Sequence, residues 1–410
     1  RMASHHGVCT RMAPRLALVL LGLATGGAVK TAPIKGPWAD FVKFNCGTWR
    51  GSAVRVDPRT AEPRFPGSRF VLTAEAVESK ACTYRSSAAL VGASGALSEE
   101  TRKWETQLTS TADVDIDGSF SVDSQSGGSN ALASLLLPTP HDFAVELSLA
   151  LADDERLRCL LLYADSALAD VLLLREVKAD ADGGVRVPAP VEACTLISLL
   201  GDWRGDACVR QPMPLRPPVR AKGFSTQSKQ VTAELSQQET GFGEASINIY
   251  KSTVTYIWDG QERVARKLEI TSFGGQALEP IVSMGVLSLK SGPAGTEFES
   301  VAFSSAGDPT APRMLLLPEG SFVLAPTRLV GGQAPFTVEF GAVLEGAEGF
   351  GLMGFHESGD ESAGAADDAE LDPLTAAMGD PTAERMVRVQ RLYNTGLSFV
   401  SGTTSLCTQI

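Results

Sequence analysis

Histidine is nearly absent from this chain, with four in 410 residues. His5 and His6 stand at the N-terminus, which leaves His141 and His356 for any chemistry. Ser-His-Asp and Cys-His sites need a histidine beside a nucleophile, so such sites have little support here. The G-x-S-x-G, Walker, G-x-G-x-x-G and H-E-x-x-H motifs are also missing from the sequence. We therefore expect a protein that binds rather than an enzyme, with no catalytic residues and no cofactor.

The sequence also has no excess of positive charge and no closely spaced pair of cysteines. The 36 Lys and Arg residues are outnumbered by 48 Asp and Glu residues, for a net charge of −12. This balance argues against a nucleic-acid partner, which needs a basic face. The seven cysteines are scattered and form no C-x-x-C pair. We expect no metal site and no disulfide framework, but mostly buried thiols.

Long apolar runs are missing beyond the first residues. Arg11 and Arg15 precede a short apolar run and a stretch of small residues that ends at Ala28. This order is typical of a signal peptide, and the run is too short for a secure membrane span. We predict that residues 1–36 are a targeting segment. Two later apolar runs have the length of strands: 130–137 and 157–162.

What the chain does contain is the texture of short β-strands. Its 40 glycines and 23 prolines indicate many turns. Residues 143–149 alternate apolar with small or polar side chains, and residues 246–258 are rich in Ile, Tyr, Val and Thr. Asp117-Gly118 and Asp259-Gly260 are hairpin signals. No segment shows a sustained helical period, so the sequence predicts an all-β protein.

An internal repeat divides the chain. Gly47-Thr48-Trp49-Arg50-Gly51 recurs as Gly201-Asp202-Trp203-Arg204-Gly205. Three more pairs follow in the same order: 118–120 with 320–322, 143–146 with 336–339, and Glu155-Arg156 before Tyr163 with Glu384-Arg385 before Tyr393. Four matches in register indicate a duplication. With about 100–200 residues per domain, we predict one domain over 37–190 and another over 191–410.

One acidic segment departs from this texture. Residues 356–384 hold eight acidic residues before Glu384 and no Lys or Arg. They fall between two strands predicted to be adjacent, where the first copy has only residues 150–154. The sequence predicts a long acidic loop insertion, which is either a solvated loop or a docking arm for a basic partner.

The G-x-W-R-G motif has a structural rationale. Glycine permits an unusual backbone conformation at the entry to a barrel, and the indole then plugs the closed end. An arginine late in the domain can lie over the indole ring in a cation–π contact. We assign this role to Arg156 or Arg158 for Trp49, and to Arg385 or Arg388 for Trp203. The predicted plugs are Trp49 with Arg156 and Trp203 with Arg385.

Other acidic and aromatic residues invite a functional interpretation. Residues 113–118 begin like a calcium loop, but the twelfth position, which should be glutamate, is Ser124. Glu146 and Glu339 occupy matching places, where a catalytic or ligand-facing carboxylate is one interpretation. A structural ion pair with a barrel arginine, or a carboxylate that faces outward, is the other. Tyr163 and Tyr393 are expected to be packing residues.

Both copies resemble the lipocalin or calycin superfamily, in which G-x-W opens the first strand. They are similar to a lipocalin-like domain family of cyanobacteria and plastids, which includes a plastid biogenesis factor required for ATP synthase. The residues that carry this resemblance are Phe41–Gly51, Gly118–Ser121, Phe143–Glu146, Arg156–Tyr163, Leu174–Glu176, Leu315–Gly320 and Arg391–Tyr393. The resemblance implies two tandem lipocalin-like antiparallel β-barrels and a plastid location.

The resemblance also implies a function. It suggests a non-enzymatic assembly factor that binds F1 subunits of the ATP synthase, such as β and γ. One alternative is a carrier of an apolar ligand, such as a tetrapyrrole, a carotenoid or a lipid, in a barrel mouth. Another is a lyase that attaches bilin to protein, which the lack of an acid/base constellation disfavours. A wide apolar interior would favour the carrier, and a packed interior with an exposed apolar patch would favour the assembly factor.

Overall fold

The fold comes from a computed structural model of the chain. It describes residues 37–64, 67–76, 83–108, 113, 118–123, 129–137, 140–152, 154–179, 193–212, 245–272, 280–291, 297–303, 312–329, 335–344, 384–394 and 396–410. The predicted targeting segment (1–36), residues 180–192 around the predicted domain boundary, and the predicted acidic insertion up to residue 383 lie outside these ranges.

In the described ranges the first domain contains two helices and eight strands. The helices are α1 (Pro37–Asn45) and α2 (Ser129–Leu136). The strands are β1 (Gly47–Val56), β2 (Ser68–Ala76), β3 (Thr83–Val91), β4 (Leu97–Gln107), β5 (Phe120–Asp123), β6 (Phe143–Ala152), β7 (Glu155–Ala164) and β8 (Ala167–Lys178).

The described part of the second domain begins with a short helix and continues with ten strands. The helix is α3 (Leu196–Leu199). The strands are β9 (Gly201–Pro212), β10 (Ala245–Trp258), β11 (Arg263–Ser272), β12 (Ile281–Ser291), β13 (Glu297–Ala302), β14 (Pro312–Leu316), β15 (Ser321–Pro326), β16 (Phe336–Leu344), β17 (Arg385–Tyr393) and β18 (Phe399–Gln409).

Every pair of neighbouring strands is antiparallel. In the second domain the strands follow one another around a closed barrel, in which β18 pairs with β9. The first domain has the order β4-β3-β2-β1-β8-β7-β6-β5, so β1 pairs with β8 and the sheet ends at β4 and β5. The prediction of an all-β protein is confirmed. Of the two tandem barrels predicted, the second domain forms a closed antiparallel barrel, and the first forms an antiparallel sheet that the described strands do not close.

The apolar run at 130–137, which has the length of a strand, forms helix α2 instead. Alanine and leucine are strong helix formers, and the helix packs against β3, β4 and β6. Leu132, Ala133 and Leu137 are buried there in the core of the first domain. The helix therefore contacts strands near both edges of the sheet and covers the part of the core between them. None of the helices in the described ranges is long and apolar enough to cross a membrane.

The predicted hairpin at Asp259-Gly260 is confirmed. Strands β10 and β11 pair from Tyr250 opposite Ser272 to Trp258 opposite Val264. Gly260 adopts a φ of 82°, which glycine tolerates best. The Asp259 carboxylate accepts a 2.8 Å hydrogen bond from the Gln261 N–H. Strands β16 and β17, which flank the acidic insertion, are also paired, with Leu344 opposite Arg385.

The two domains share one apolar core. Strands β6, β7 and β8 are buried on both faces, so their outer side chains pack on β14 to β17 of the second domain. The largest contributors to this shared core are Phe143, Leu147, Leu157, Leu161, Tyr163, Leu173, Leu315, Leu317, Phe340 and Tyr393. A strand buried on both faces has continuous apolar residues, which explains the run at 157–162.

Backbone hydrogen bonds also join the domains. The Leu168 N–H donates to the Thr327 carbonyl at 2.9 Å, and the Leu329 N–H donates to the Ser166 carbonyl at 2.6 Å. Ala167 forms an isolated antiparallel bridge with Arg328. The loop between β7 and β8 is thereby bonded to the segment after β15.

Candidate functional site

The two tryptophans of the repeat lie in closely matched surroundings. Trp49 and Trp203 are buried, and each Nε1 donates to the carbonyl four residues earlier. The acceptors are Asn45 at 3.1 Å and Leu199 at 2.9 Å, at the ends of α1 and α3. Each helix therefore closes one end of its domain over an indole.

The first glycine of each motif makes this geometry possible. Gly47 has a φ of 124° and Gly201 a φ of 113°, both in the region that favours glycine. These positive φ values turn the chain from the helix into the strand. A Cβ on Gly47 would approach Lys178, and a Cβ on Gly201 would approach Gln409. Lys178 and Gln409 are also the strand partners of Trp49 and Trp203.

The second glycine permits close contact between strands. A Cβ on Gly205 would lie 1.8 Å from the carbonyl oxygen of Leu406, which is a backbone atom. A Cβ on Gly51 would lie 2.5 Å from the Phe70 ring and 3.0 Å from the Arg175 carbonyl oxygen. A side chain at Gly205 would need a shift of strand β18, whereas at Gly51 it would first displace the Phe70 ring.

In the first domain the structure brings Trp49 and Arg156 together. The Arg156 guanidinium lies over the indole, with Cζ 3.9 Å from the ring centroid. Its Nη1 donates to the Asn45 side-chain oxygen at 3.0 Å, and its Nε donates to Glu176 at 2.7 Å. Lys178 lies farther away, with Nζ 5.5 Å from the same ring. Arg156 is therefore both a ring contact and a link between helix α1 and strand β8.

In the second domain the residue equivalent to Arg156 is Met386, not Arg385. Arg156 and Met386 stand the same number of positions before Tyr163 and Tyr393. These tyrosines are themselves equivalent, since Tyr163 pairs with Phe143 and Tyr393 with Phe336, the first residues of β6 and β16. Met386 is buried in the same cluster as Trp203. Because successive side chains of a strand point to opposite faces, Arg385 lies on the other face. The sequence match at Glu-Arg placed the second plug one residue too early.

The interior of the first domain holds a buried ion-pair network. Glu146 pairs with Arg158 through Nε at 2.9 Å and through Nη2. Arg158 Nη1 also donates to Glu176 at 3.1 Å, and Glu176 binds Arg156. Burial alone would raise the pKa of Glu176, but the two arginines outweigh it and the pKa lies below its usual value. The network links two glutamates with two arginines, so its charges balance.

A small cleft adjoins this network. It has a volume of about 270 Å³, including the part open to solvent, and Arg156 and Arg158 lie along one side. The other lining side chains include Phe41, Leu72, Tyr84, Ser86, Trp104 and Phe120. A second small cleft of about 200 Å³, also counted with the part open to solvent, lies beside Trp49 and Arg156. Leu132, Leu160 and Leu172 are among the buried residues of this core. Both clefts are smaller than typical pockets for drug-sized ligands, which run from about 300 to 1,000 Å³.

The barrel of the second domain has a related network around Glu339. Arg266 Nη2 donates to Glu339 at 2.7 Å, and Arg388 Nη1 donates to the other carboxylate oxygen at 3.1 Å. The Gln390 side chain also donates to Glu339, and Arg266 Nε donates to the Tyr256 hydroxyl at 3.3 Å. Arg266 and Arg388 hold the pKa of Glu339 below its usual value, although burial opposes them.

Glu146 and Glu339 are equivalent residues. Glu146 pairs with Arg158, which lies opposite Ser148, and Glu339 pairs with Arg388, which lies opposite Gly341. In both domains the arginine is therefore opposite the residue two positions after the glutamate. Both glutamates are buried structural ion-pair residues, which is one of the two interpretations predicted from the sequence.

The outer face of the barrel in the second domain carries an exposed apolar patch. Val282, Met284 and Val286 alternate along β12 and are 52%, 53% and 48% exposed. Ile257 of β10 is 56% exposed and lies in line with Met284 across Ala265. We call Ile257, Val282, Met284 and Val286 the outer patch.

Basic residues flank the outer patch on strand β11. Arg263 is paired with Val286, and Lys267 with Val282. Arg263 is exposed, and Lys267 forms a surface ion pair with Glu269 at 2.8 Å. An apolar surface of this kind, rimmed by charge, is typical of a protein-binding site.

The remaining predicted site residues have structural partners. Asp113, from the calcium-like segment, binds Arg391 at 2.9 Å, while Asp115, Asp117 and Ser124 lie outside the described residues. The His141 side chain is 5% exposed, with Nε2 3.8 Å from an Asp170 carboxylate oxygen. His356 lies outside the described ranges. In those ranges no group of three or more His, Cys, Asp or Glu side chains is placed to hold a metal ion. The cysteines described there (Cys46, Cys159, Cys194, Cys208 and Cys407) form no disulfide with one another, and all but Cys46 are buried.

Sequence reasoning missed Arg266 and the outer patch. Arg266 stands in a strand-like stretch where its neighbours Arg263 and Lys267 face outward, and nothing in the one-dimensional pattern marks it as buried. The alternation of Val282, Met284 and Val286 was the available signal, but alternation indicates an apolar face without saying whether that face is covered.

Comparison with known proteins supports the fold. Residues 35–181 match the model of a family described as "Domain of unknown function (DUF3598), N-terminal". The chain is also similar to the crystal structure of a protein of unknown function from the DUF3598 family of Nostoc punctiforme. The TM-score is 0.55 with 20% identity, and the match covers 92% of this chain and all of that chain. No curated protein matches the sequence.

Proposed function

We propose that this protein is a non-enzymatic assembly factor that acts by binding other proteins. The observation that carries this proposal is the outer patch, which leaves four large apolar side chains about half exposed on one face of the barrel. Water contact with such a surface is unfavourable, so a partner that covers it gains binding energy. The apolar centre and the basic flanks Arg263 and Lys267 favour a partner segment that is apolar and carries acidic residues.

The interior of the first domain supports the same choice over a carrier of an apolar ligand. A carrier needs an apolar space, whereas Glu146, Arg156, Arg158 and Glu176 occupy this interior with hydrogen bonds to one another. The core shared by the two domains makes them a single scaffold that presents the outer patch in a fixed orientation.

For the partner we propose the F1 subunits of a plastid ATP synthase, β and γ. This proposal, like the plastid location, rests on the resemblance to the lipocalin-like family that includes a biogenesis factor for that enzyme. The lipocalin-like character itself has the support of the G-x-W plugs at Trp49 and Trp203.

The test is binding of the purified full chain to purified F1 β and γ subunits. We expect M284E to weaken binding at least tenfold, because a charge at the centre of an apolar contact must be desolvated. L97E is the matched control, since Leu97 is an equally exposed residue on the first domain. If neither subunit binds, the proposed partner is wrong. If binding occurs but M284E and L97E behave alike, the outer patch is not the site.

A further inference from the structure

The outer patch has a counterpart on the first domain that the strand register identifies. Trp49 pairs with Leu72 of β2, just as Trp203 pairs with Val254 of β10. Strands β2 and β10 are therefore equivalent residue by residue. The strands that pair with them in turn are equivalent as well, β3 with β11 and β4 with β12.

The counterpart of the outer patch is charged. A row of three directly paired, outward side chains crosses the three strands in each domain: Ile257, Ala265 and Met284 in the second domain, and Glu75, Arg85 and Glu105 in the first. Arg85 and Glu105 form an exposed ion pair at 2.8 Å. Val282 likewise stands where the first domain has the exposed Lys103. The fold therefore accepts charged side chains on this face, and the apolar ones of the outer patch are not needed to form it.

Met284 is the oxidisable member of the outer patch. Its neighbours in the patch carry hydrocarbon side chains, whereas a thioether sulfur reacts with peroxides. Met284 is 53% exposed, so a peroxide dissolved in water can reach the sulfur. The other two methionines in the described ranges, Met314 and Met386, lie in the core of the same barrel and are 0% exposed. The three side chains therefore differ sharply in their access to an oxidant.

We propose that Met284 is a site of reversible oxidation by peroxides that controls the outer patch. The Met284 sulfur takes one oxygen atom from hydrogen peroxide: the O–O bond breaks, an S–O bond forms, and the thioether supplies the two electrons. The second oxygen leaves as water with both protons. The product is methionine sulfoxide, and a thiol-dependent methionine sulfoxide reductase restores the thioether, with oxidation of two thiols to a disulfide and release of water.

The sulfoxide changes the surface while the barrel stays folded. Its oxygen needs hydrogen bonds, which water supplies on the free protein and which an apolar partner surface does not supply. Glu105, at the same register of the first domain, is a polar side chain that this face accommodates. The consequence for partner binding rests on the proposed function, because the outer patch is the surface that the partner covers.

Peroxide treatment of the folded full chain, followed by peptide mass spectrometry, tests the site. We expect Met284 to be oxidised at least about tenfold faster than Met314 and Met386, whose sulfurs react only when the core opens. In concentrated urea the three rates should converge, because all three side chains are then exposed. The proposal is overturned if either core methionine is oxidised as fast as Met284 in the folded chain.

Fluorescence of the dye anilinonaphthalene sulfonate, which binds exposed apolar surface, follows the state of the outer patch without any partner. We expect peroxide to lower the dye fluorescence of the wild type. M284L, whose side chain peroxide does not attack, should not respond. M284Q carries a neutral polar group and should resemble the oxidised wild type before treatment. The Tm should change by no more than about 2 °C in each case, because exposed substitutions alter stability little.

Binding to the F1 β and γ subunits separates this proposal from the proposed function. If either subunit binds, oxidation of the wild type should weaken binding at least about tenfold, and treatment with methionine sulfoxide reductase should restore it. If neither subunit binds, the proposed partner is wrong, and the dye decides whether oxidation alters the outer patch. Control by Met284 is overturned if the oxidised wild type keeps its dye fluorescence or its affinity for a subunit. It is also overturned if oxidation unfolds the barrel, because lost structure would then explain lost binding.

Discussion

The Tyr393 hydroxyl donates a 3.3 Å hydrogen bond to the Asp123 carboxylate, across the boundary between the two domains. The equivalent tyrosine of the first domain, Tyr163, reaches across in the opposite direction and donates to the Pro326 carbonyl at 3.1 Å. Asp123 and Pro326 end the equivalent strands β5 and β15. The duplicated domains therefore face each other with approximate twofold symmetry, as two copies of one subunit do in a symmetric dimer.

This boundary also contains a buried charge network around Arg391, a position that holds leucine in the first domain. Arg391 donates to Asp113 at 2.9 Å, to Asp123 at 3.1 Å and to the Ser121 carbonyl at 2.6 Å. The residue equivalent to Arg391 in the first domain is the apolar Leu161, because each stands two positions before its tyrosine. The symmetry is thus broken by one arginine that ties β17 to the first domain.

We predict that R391M destabilises the protein by about 3–5 kcal/mol, because it removes the buried cation that pairs with both Asp113 and Asp123. Y393F removes one hydrogen bond and should cost only about 1 kcal/mol. Urea unfolding followed by fluorescence measures both. The wild type should unfold in a single transition, since the domains share a core, and R391M should separate it into two.

The contrasting outcome is equal stability of R391M and Y393F, or two transitions already in the wild type. Either result would mean that the shared core and its charge network do not couple the domains. R85M is a suitable control, since Arg85 and Glu105 form an exposed ion pair that should contribute little.

A second prediction concerns the Arg156–Glu176 pair. R156M alone leaves Glu176 buried with only Arg158, and we expect a loss of about 3–5 kcal/mol of unfolding free energy. The double variant R156M/E176C copies the Met386–Cys407 pair of the second domain. It should recover at least about 1 kcal/mol relative to the sum of the two single changes.

Denaturant unfolding of the two single variants and the double variant measures this coupling. The single variant E176C leaves Arg156 and Arg158 with one carboxylate between them. Additive effects in the cycle would contradict the view that Arg156–Glu176 and Met386–Cys407 are coupled pairs at equivalent positions of the two domains. M386R is the reverse control. It buries a third arginine near Arg266, Arg388 and Glu339, so we expect it to destabilise the protein.

Much of this architecture was predictable because its signals are local. The Gly-x-Trp motifs, the Asp-Gly turn at 259–260 and the alternation in strands mark backbone conformations that neighbouring residues dictate. The contact between Arg156 and Trp49 follows from the same motif. These features need no knowledge of what packs on the outside of each sheet.

Other features depend on contacts between distant segments and could not be predicted in this way. The apolar run at 157–162 is buried on both faces only because a second domain covers its outer face. Met386 was passed over for Arg385 because sequence similarity at Glu-Arg is not strand register. The buried arginine Arg266 is distinguished from exposed neighbours only by the direction of its side chain.

A third prediction tests the close approach of strands at the G-x-W-R-G motif. G205A places a methyl group 1.8 Å from a backbone carbonyl, which cannot move without shifting β18. G51A meets the Phe70 ring first, and a side chain can yield more easily. We expect G205A to cost about 3 kcal/mol or more, and G51A about 1–3 kcal/mol. Thermal unfolding measures both, and G92A, whose Cβ meets nothing closer than 3.6 Å, should be nearly neutral.

The last prediction is the pH dependence that His141 adds to stability. Burial lowers the pKa of this imidazole below its ordinary value of 6.5, and Asp170 opposes the shift only in part. The folded state therefore favours neutral histidine, while the unfolded chain takes up a proton near pH 6.5. The stabilisation is fully present above that pH and is lost as the pH falls through 6.5 towards the lower folded pKa. Denaturant titrations between pH 8 and pH 5 should show stability falling with pH, with a slope below the one-proton limit of about 1.4 kcal/mol per pH unit because His141 as a whole residue is only partly buried, and H141N should reduce this slope. A steeper slope in H141N than in the wild type would mean that the carboxylates, rather than His141, control stability in this range.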